Sequence, residues 1–176
     1  MGEGMNTKQK GDIAEQAAIL CALKLGWGAL RPVGDRLAYD LVFDVGGVLV
    51  KVQVKHSWFH PKSGNYVVDN RRTKTNRREM LREPYQASDF DYALVYLSEI
   101  NLFYVFPVAD FIGHASSIHM VETQKRQRKP HSAIFRDAWS IIAQDVECFK
   151  LCEHSTLHHR PEALDPTTAP FTSGAT

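Results

Sequence analysis

The sequence predicts an α/β fold, a mixed central β-sheet flanked by helices, built as one domain. Three observations predict it. Apolar residues recur at helical spacing from Thr7 to Leu25. From Trp27 to Pro107 the chain reads as short strands broken by turn residues, with two hairpins among them. A second helical pattern then spans residues 132–144. Helix, strands and closing helix fit a layered sandwich around a single core.

The elements follow in order. In the first helix, Ile13, Ala14, Ala17, Ala18, Leu20 and Leu25 form the apolar face, Asn6 or Thr7 supplies the cap, and Gly26 ends it. "WGALRPV" is a short strand running to a turn at Gly34-Asp35. "LAYDLVFDV" is a strand with Tyr39, Leu41 and Phe43 on one face and Asp40, Val42 and Asp44 on the other. Gly46-Gly47 is a hairpin turn. It leads into "VLVKVQVKHSW", where valines alternate with a stripe of Lys51, Gln53 and Lys55. "NYVVD" is a further strand, and a basic loop follows it. "FDYALVYLSEINLFYVFPV" is the second hairpin, turning near Ser98 to Asn101 and stopped by Pro107. A short helix follows near 108–113. The closing helix points Ile134, Phe135, Ala138, Ile141 and Ile142 inward. The domain spans 1–153, with a core over about 7–112 and a helical part over about 132–153. Residues 154–176 are polar and carry three prolines, the pattern of a disordered tail.

Composition narrows the function. No apolar run approaches the roughly 18 residues of a membrane span, and the start of the chain has no secretory apolar stretch. A cytoplasmic protein without membrane contact is expected. The odd count of three cysteines, without a secretory stretch, argues against a disulfide framework. Cys148, Cys152, His154 and His158 raise a zinc question. One residue separates the cysteine pair from the first histidine, too few for a zinc finger, so a helix end with exposed histidines is the better reading. The net charge is only +1, yet ten of the 21 Lys and Arg lie in two runs, 71–82 and 124–129. Clustered cations in a near-neutral chain point to a phosphate-bearing partner, nucleic acid above all.

The polar stripe fits either the wet face of an ordinary strand or an active site. Pairing about Gly46-Gly47 sets Val45 against Val48, and so Asp40 against Gln53. Directly opposed residues have Cβ atoms about 4.5–5.5 Å apart. A one-residue slip would bury the whole polar set. Asp40 in an apolar strand is costly unless it is paired or binds a metal. Together the residues suit metal-assisted phosphodiester hydrolysis. Mg²⁺, with Mn²⁺ as a substitute, takes hard oxygen ligands. Asp40 offers a carboxylate, Gln53 an amide oxygen and Val54 its backbone carbonyl. Glu15 completes the set from the helix, and Lys55 orients the attacking water.

"KGDIAE" on a helix, "YDLVFD" on a strand, a glycine hairpin and then "VQVK" resemble the PD-(D/E)XK nuclease superfamily. The likeness is greatest to its group I intron homing endonuclease branch and weaker to archaeal Holliday-junction resolvases. It covers about residues 7–112 and implies a restriction-endonuclease-like core. By the resemblance, Glu15, Asp40, Gln53 and Lys55 are the catalytic residues of a Mg²⁺-dependent, site-specific DNA endonuclease. Its partner is double-stranded DNA, and a double-strand cut implies a homo-oligomer. Lys51, Arg71, Arg72, Lys74, Asn76, Arg77 and Arg78 are the expected DNA contacts. The chain departs from the pattern twice. Ala38-Tyr39 stand where a proline can precede the aspartate, and Gln53 replaces an acid. The second departure removes a charge from the metal site and keeps an inactive DNA-binding descendant open. A structure-selective resolvase and a repair or restriction nuclease are the other readings of the same fold.

Overall fold

The structure is a computed structural model that describes residues 6–34, 36–75, 80–123 and 130–157. In chain order the elements are α1 (Thr7–Lys24), β1 (Gly28–Leu30), β2 (Leu41–Val45), β3 (Val48–His56), β4 (Trp58–His60) and β5 (Asn65–Asp69). Then come β6 (Arg71–Thr75), β7 (Met80–Pro84), β8 (Tyr92–Leu97), β9 (Leu102–Pro107), α2 (Val108–Ile112), β10 (Ser117–Met120) and α3 (Ser140–Leu157). The central sheet has five strands in the order β1-β2-β3-β8-β9. Its pairs are antiparallel except β3 with β8, so the sheet is mixed. A parallel pair needs a long crossover. Here that crossover is itself folded: β4 and β5 join β10 in a three-stranded sheet, and β6 and β7 form a hairpin.

The β2–β3 hairpin has the predicted register, with Val45 opposite Val48 and Leu41 opposite Val52. Gly46 and Gly47 both take positive φ, 61° and 93°, as a tight turn between twisted strands demands. Alternation then sorts the side chains. Leu41, Phe43, Val50, Val52 and Val54 pack beneath α1 and α3, with Trp139 and Ile142 of the closing segment. Val95, Leu97, Tyr104 and Phe106 face the other way, onto Phe111, Ile118 and Met120. Both faces of the sheet are therefore covered.

Helix α1 starts where Asn6 accepts a hydrogen bond from the Gln9 N–H at 2.8 Å. Its buried stripe is Ala14, Ala18 and Ala22, spaced by four. This corrects the expected apolar face: Ile13, Leu20 and Leu25 are exposed. Alanines win because they bring the helix axis close to the sheet, and a wide leucine ridge would hold it off.

Two further expectations are corrected. The predicted basic loop is the β6–β7 hairpin. The predicted helix over 132–144 is broken. His131–Phe135 form a 3-10 turn, and Asp137 takes φ 50°. The Asp137 N–H donates to the Phe103 carbonyl at 2.8 Å, and Arg136 bridges Tyr104, so sheet pairing outcompetes helix here. Ile134 is consequently 65% exposed, whereas Phe135 and Ile142 are buried. The α-helix begins only at Ser140 and continues to Leu157, past the expected start of the tail. Cys148 and Cys152 on it are exposed. The His154 side chain and all of His158 lie outside the described residues. No helix among the described residues is long and apolar enough to cross a membrane.

Candidate active site

Asp40 stands one residue ahead of β2, and its N–H donates to the Val52 carbonyl at 2.9 Å. That bond carries the hairpin ladder one step further and sets Asp40 beside Gln53. The Asp40 carboxylate accepts the Val54 N–H at 2.9 Å through Oδ2. The same oxygen accepts the Gln53 side-chain amide at 2.5 Å. That amide nitrogen also lies 3.2 Å from the Val54 carbonyl. Gln53 is only 8% exposed, flanked by the buried Val52 and Val54. Burial raises the Asp40 carboxyl above its usual range, against the opposing pull of the Val54 N–H, Lys55, Arg72 and Arg31.

The donor set suits a hard cation. One point in space, now filled by an amide N–H, touches a carboxylate oxygen and a backbone carbonyl oxygen. Turning the Gln53 amide about its last bond exchanges nitrogen for oxygen, which leaves three oxygen donors together. Two are neutral, so the charge must come from Asp40 and a neighbour. Among the described residues no group of three or more His, Cys, Asp or Glu gathers to hold a metal.

Glu15 is that neighbour. It reaches the site from α1, where Asp40 and Glu15 line one cleft of about 240 Å³ with Arg31 and Tyr39. Burial first, and then repulsion from Asp40, raises the Glu15 carboxyl, while Arg31 pulls it down. The Arg31 guanidinium lies 3.2 Å from the Glu15 carboxylate.

Lys55 projects from the same face of β3 as Gln53. Its ammonium donates to the Arg71 carbonyl at 3.0 Å and sits 4.9 Å from the centre of the Tyr85 ring. Burial lowers its pKa, with Asp40 and Asp69 pulling the other way. The Tyr85 hydroxyl is pushed well up by burial.

The structure thus brings Glu15, Asp40, Gln53, Val54 and Lys55 to one place. It does not bring Lys51 there. That ammonium donates to the Ser88 carbonyl at 2.9 Å, and four residues of strand put it about 13 Å from Lys55. Arg71 is held by Asp69 through two bonds of 3.0 Å. Arg72 donates to the carbonyls of Arg36 and Leu37 at 3.0 and 2.9 Å, bracing the loop ahead of Asp40. Lys74 is described in its backbone only, and Asn76, Arg77 and Arg78 lie outside the described residues. Three site residues were not anticipated: Arg31, Asp69 and Tyr85. Asp69 alone had a signal, a carboxylate directly ahead of the basic run. It pairs with Arg82 as well, at 3.2 Å.

A family model described as PD-(D/E)XK endonuclease matches residues 5–142. The solved structure of a bacterial homing endonuclease, I-Ssp6803I, is similar at 62% identity and a TM-score of 0.78, over 83% of this chain and 99% of that one. No curated protein matches the chain.

Proposed function

The chain belongs to the PD-(D/E)XK endonuclease family, and on that premise we propose that it is a Mg²⁺-dependent, site-specific endonuclease of the homing type acting on double-stranded DNA. Asp40, Gln53, Val54, Lys55 and Glu15 form its reaction centre. The observation that carries this reading is the shared point between Asp40 Oδ2, the Gln53 amide and the Val54 carbonyl. The similar structure is that of a homing endonuclease, which supports the site-specific class.

Nucleases of this family generally use divalent metal ions. Asp40, the Val54 carbonyl, the turned Gln53 amide and Glu15 are the groups that would hold the ion. When bound, it supplies Lewis-acid polarisation of the phosphoryl oxygen and a more acidic water. The remaining work falls to the chain. The Val54 N–H fixes the Asp40 carboxylate in one orientation. The Arg71 carbonyl and the Tyr85 ring hold the Lys55 ammonium beside it. From there the Lys55 ammonium donates a hydrogen bond to the attacking water and stabilises the hydroxide left as that water gives its proton to solvent. Cutting both strands requires two such centres, so a homo-oligomer is part of the proposal.

Plasmid cleavage with and without Mg²⁺ tests it. Wild type is expected to cut only with metal, and Asp40→Ala and Lys55→Ala to lose at least about a hundredfold in rate, the scale of one acid–base group. Salt-dependent DNA binding without cleavage under any metal or substrate would favour the inactive descendant that Gln53 left open.

A further inference from the structure

A second cleft, of about 380 Å³, lies between the first turns of α1 and the end of β3. Lys10, Gly11, His56 and Trp58 line it, and it shares Val54 and Lys55 with the centre described above. Two features of it have no use in the free protein.

The first is Gly11. It sits inside α1 without a positive φ, and a Cβ built there would meet nothing within 4 Å. Glycine is the poorest helix former after proline. Neither backbone geometry nor packing requires it, so the fold bears a cost and gains nothing. The remaining use of a missing side chain is the close approach of a ligand. Gly11 lies one turn ahead of Glu15, on the same side of the helix.

The second is Lys10. It is half-buried against the cleft, and no carboxylate among the described residues pairs with it. Its charge helps hold the neighbouring His56 imidazole below its ordinary pKa, after burial and against Glu99. The cleft therefore carries positive charge from Lys10, which no carboxylate among the described residues pairs, next to a Lys55 whose charge Asp40 and Asp69 partly offset. Trp58, 45% exposed at the rim, adds an apolar wall.

We propose that this cleft is a phosphate subsite for the cut DNA strand, holding the backbone phosphate next to the one attacked, with Lys10 as its cation and Gly11 as the clearance that admits it. A phosphodiester needs a positive charge and room for its oxygens, and the sugar that follows packs on an aromatic wall. The proposal rests on the nuclease reading of the preceding subsection and adds the path of the strand.

The test compares wild type with Gly11→Ala and Lys10→Gln in three measurements. These are melting of the free protein, binding of a mixed-sequence DNA duplex across a salt series without metal, and plasmid cleavage with Mg²⁺. Gly11→Ala is expected to melt about 2–4 °C higher while binding and cutting more weakly, a split that a structural glycine would not produce. Lys10→Gln is expected to leave melting unchanged and to flatten the salt dependence of binding by about 0.9 in log–log slope, one phosphate contact. If wild type binds and cuts while both variants match it, the subsite is wrong and the nuclease reading stands. If wild type neither binds the duplex nor cuts, both fall together.

Discussion

At the scale of the residue, the site is assembled against the interest of the fold. Asp40 and Glu15 both have carboxyls raised by burial, and Asp40 raises that of Glu15 further. A raised acid is one that the folded state prefers protonated. Its stability penalty is complete above the folded pKa and disappears as pH falls toward the unfolded value, about 3.9 for Asp. Asp40→Asn keeps an oxygen for the Val54 N–H and removes that charge. The variant is therefore expected to melt above wild type at pH 7 without metal, with the gap closing toward about pH 4. Added Mg²⁺ should narrow the gap at pH 7 by stabilising wild type alone. A variant that melts below wild type at pH 7 would show that Asp40 earns its place structurally. The same residue illustrates a general trade: function sits where the fold would be steadier without it.

At the scale of the element, the β2–β3 hairpin is what aligns the chemistry. Its two-residue turn decides that Asp40 meets Gln53, because strand period 2 leaves no intermediate register. Gly47 holds φ 93°, and its N–H donates to the Asp44 carboxylate at 2.7 Å. A Cβ there has open space but strained backbone. Gly47→Ala is expected to cost roughly 1–2 kcal/mol, read by chemical denaturation. Cleavage assayed well below the melting transition should fall further than the lost stability explains, since the turn also sets the register of the site. Unchanged cleavage would mean that the ladder from Leu41 to Val52 holds the register without the turn. The β6–β7 hairpin has a different task. It supplies the Arg71 carbonyl to Lys55 and sends Arg72 back to the loop before Asp40. Two residues expected to touch DNA thus spend their groups on bracing the site.

At the scale of the whole molecule, a three-ring cluster joins the first strands to the closing segment. Trp27, Phe43 and Trp139 stand with centroids 6.1, 6.3 and 6.5 Å apart. Phe103 meets Trp139 edge-on at 5.3 Å. The ring of Trp139 thereby ties the segment ahead of α3 to both β2 and β9. Trp139→Ala is expected to destabilise the protein by about 3–5 kcal/mol, measured by denaturant midpoint. A loss under about 1 kcal/mol would show that the C-terminal part is an appendage and no part of the core.

The sequence by itself determined the first helix, the strands of the central sheet with their two hairpins, and the register that pairs Asp40 with Gln53, but not β4, β10 or the β6–β7 hairpin. Those features follow from local rules: a period of two or 3.6, a turn of two glycines, a proline stop. The same rules brought Glu15 and Lys55 into view once the motif order was recognised. Only the tertiary structure decided that alanines carry the packed face of α1, that Asp137 breaks the closing helix, and that Arg31, Asp69 and Tyr85 surround the site. Each of those depends on contacts between residues far apart in the chain, such as Asp137 with Phe103 or Lys55 with Tyr85. Periodicity reports which side of an element is apolar, but it is silent on how near the neighbouring element lies and which distant group meets it there.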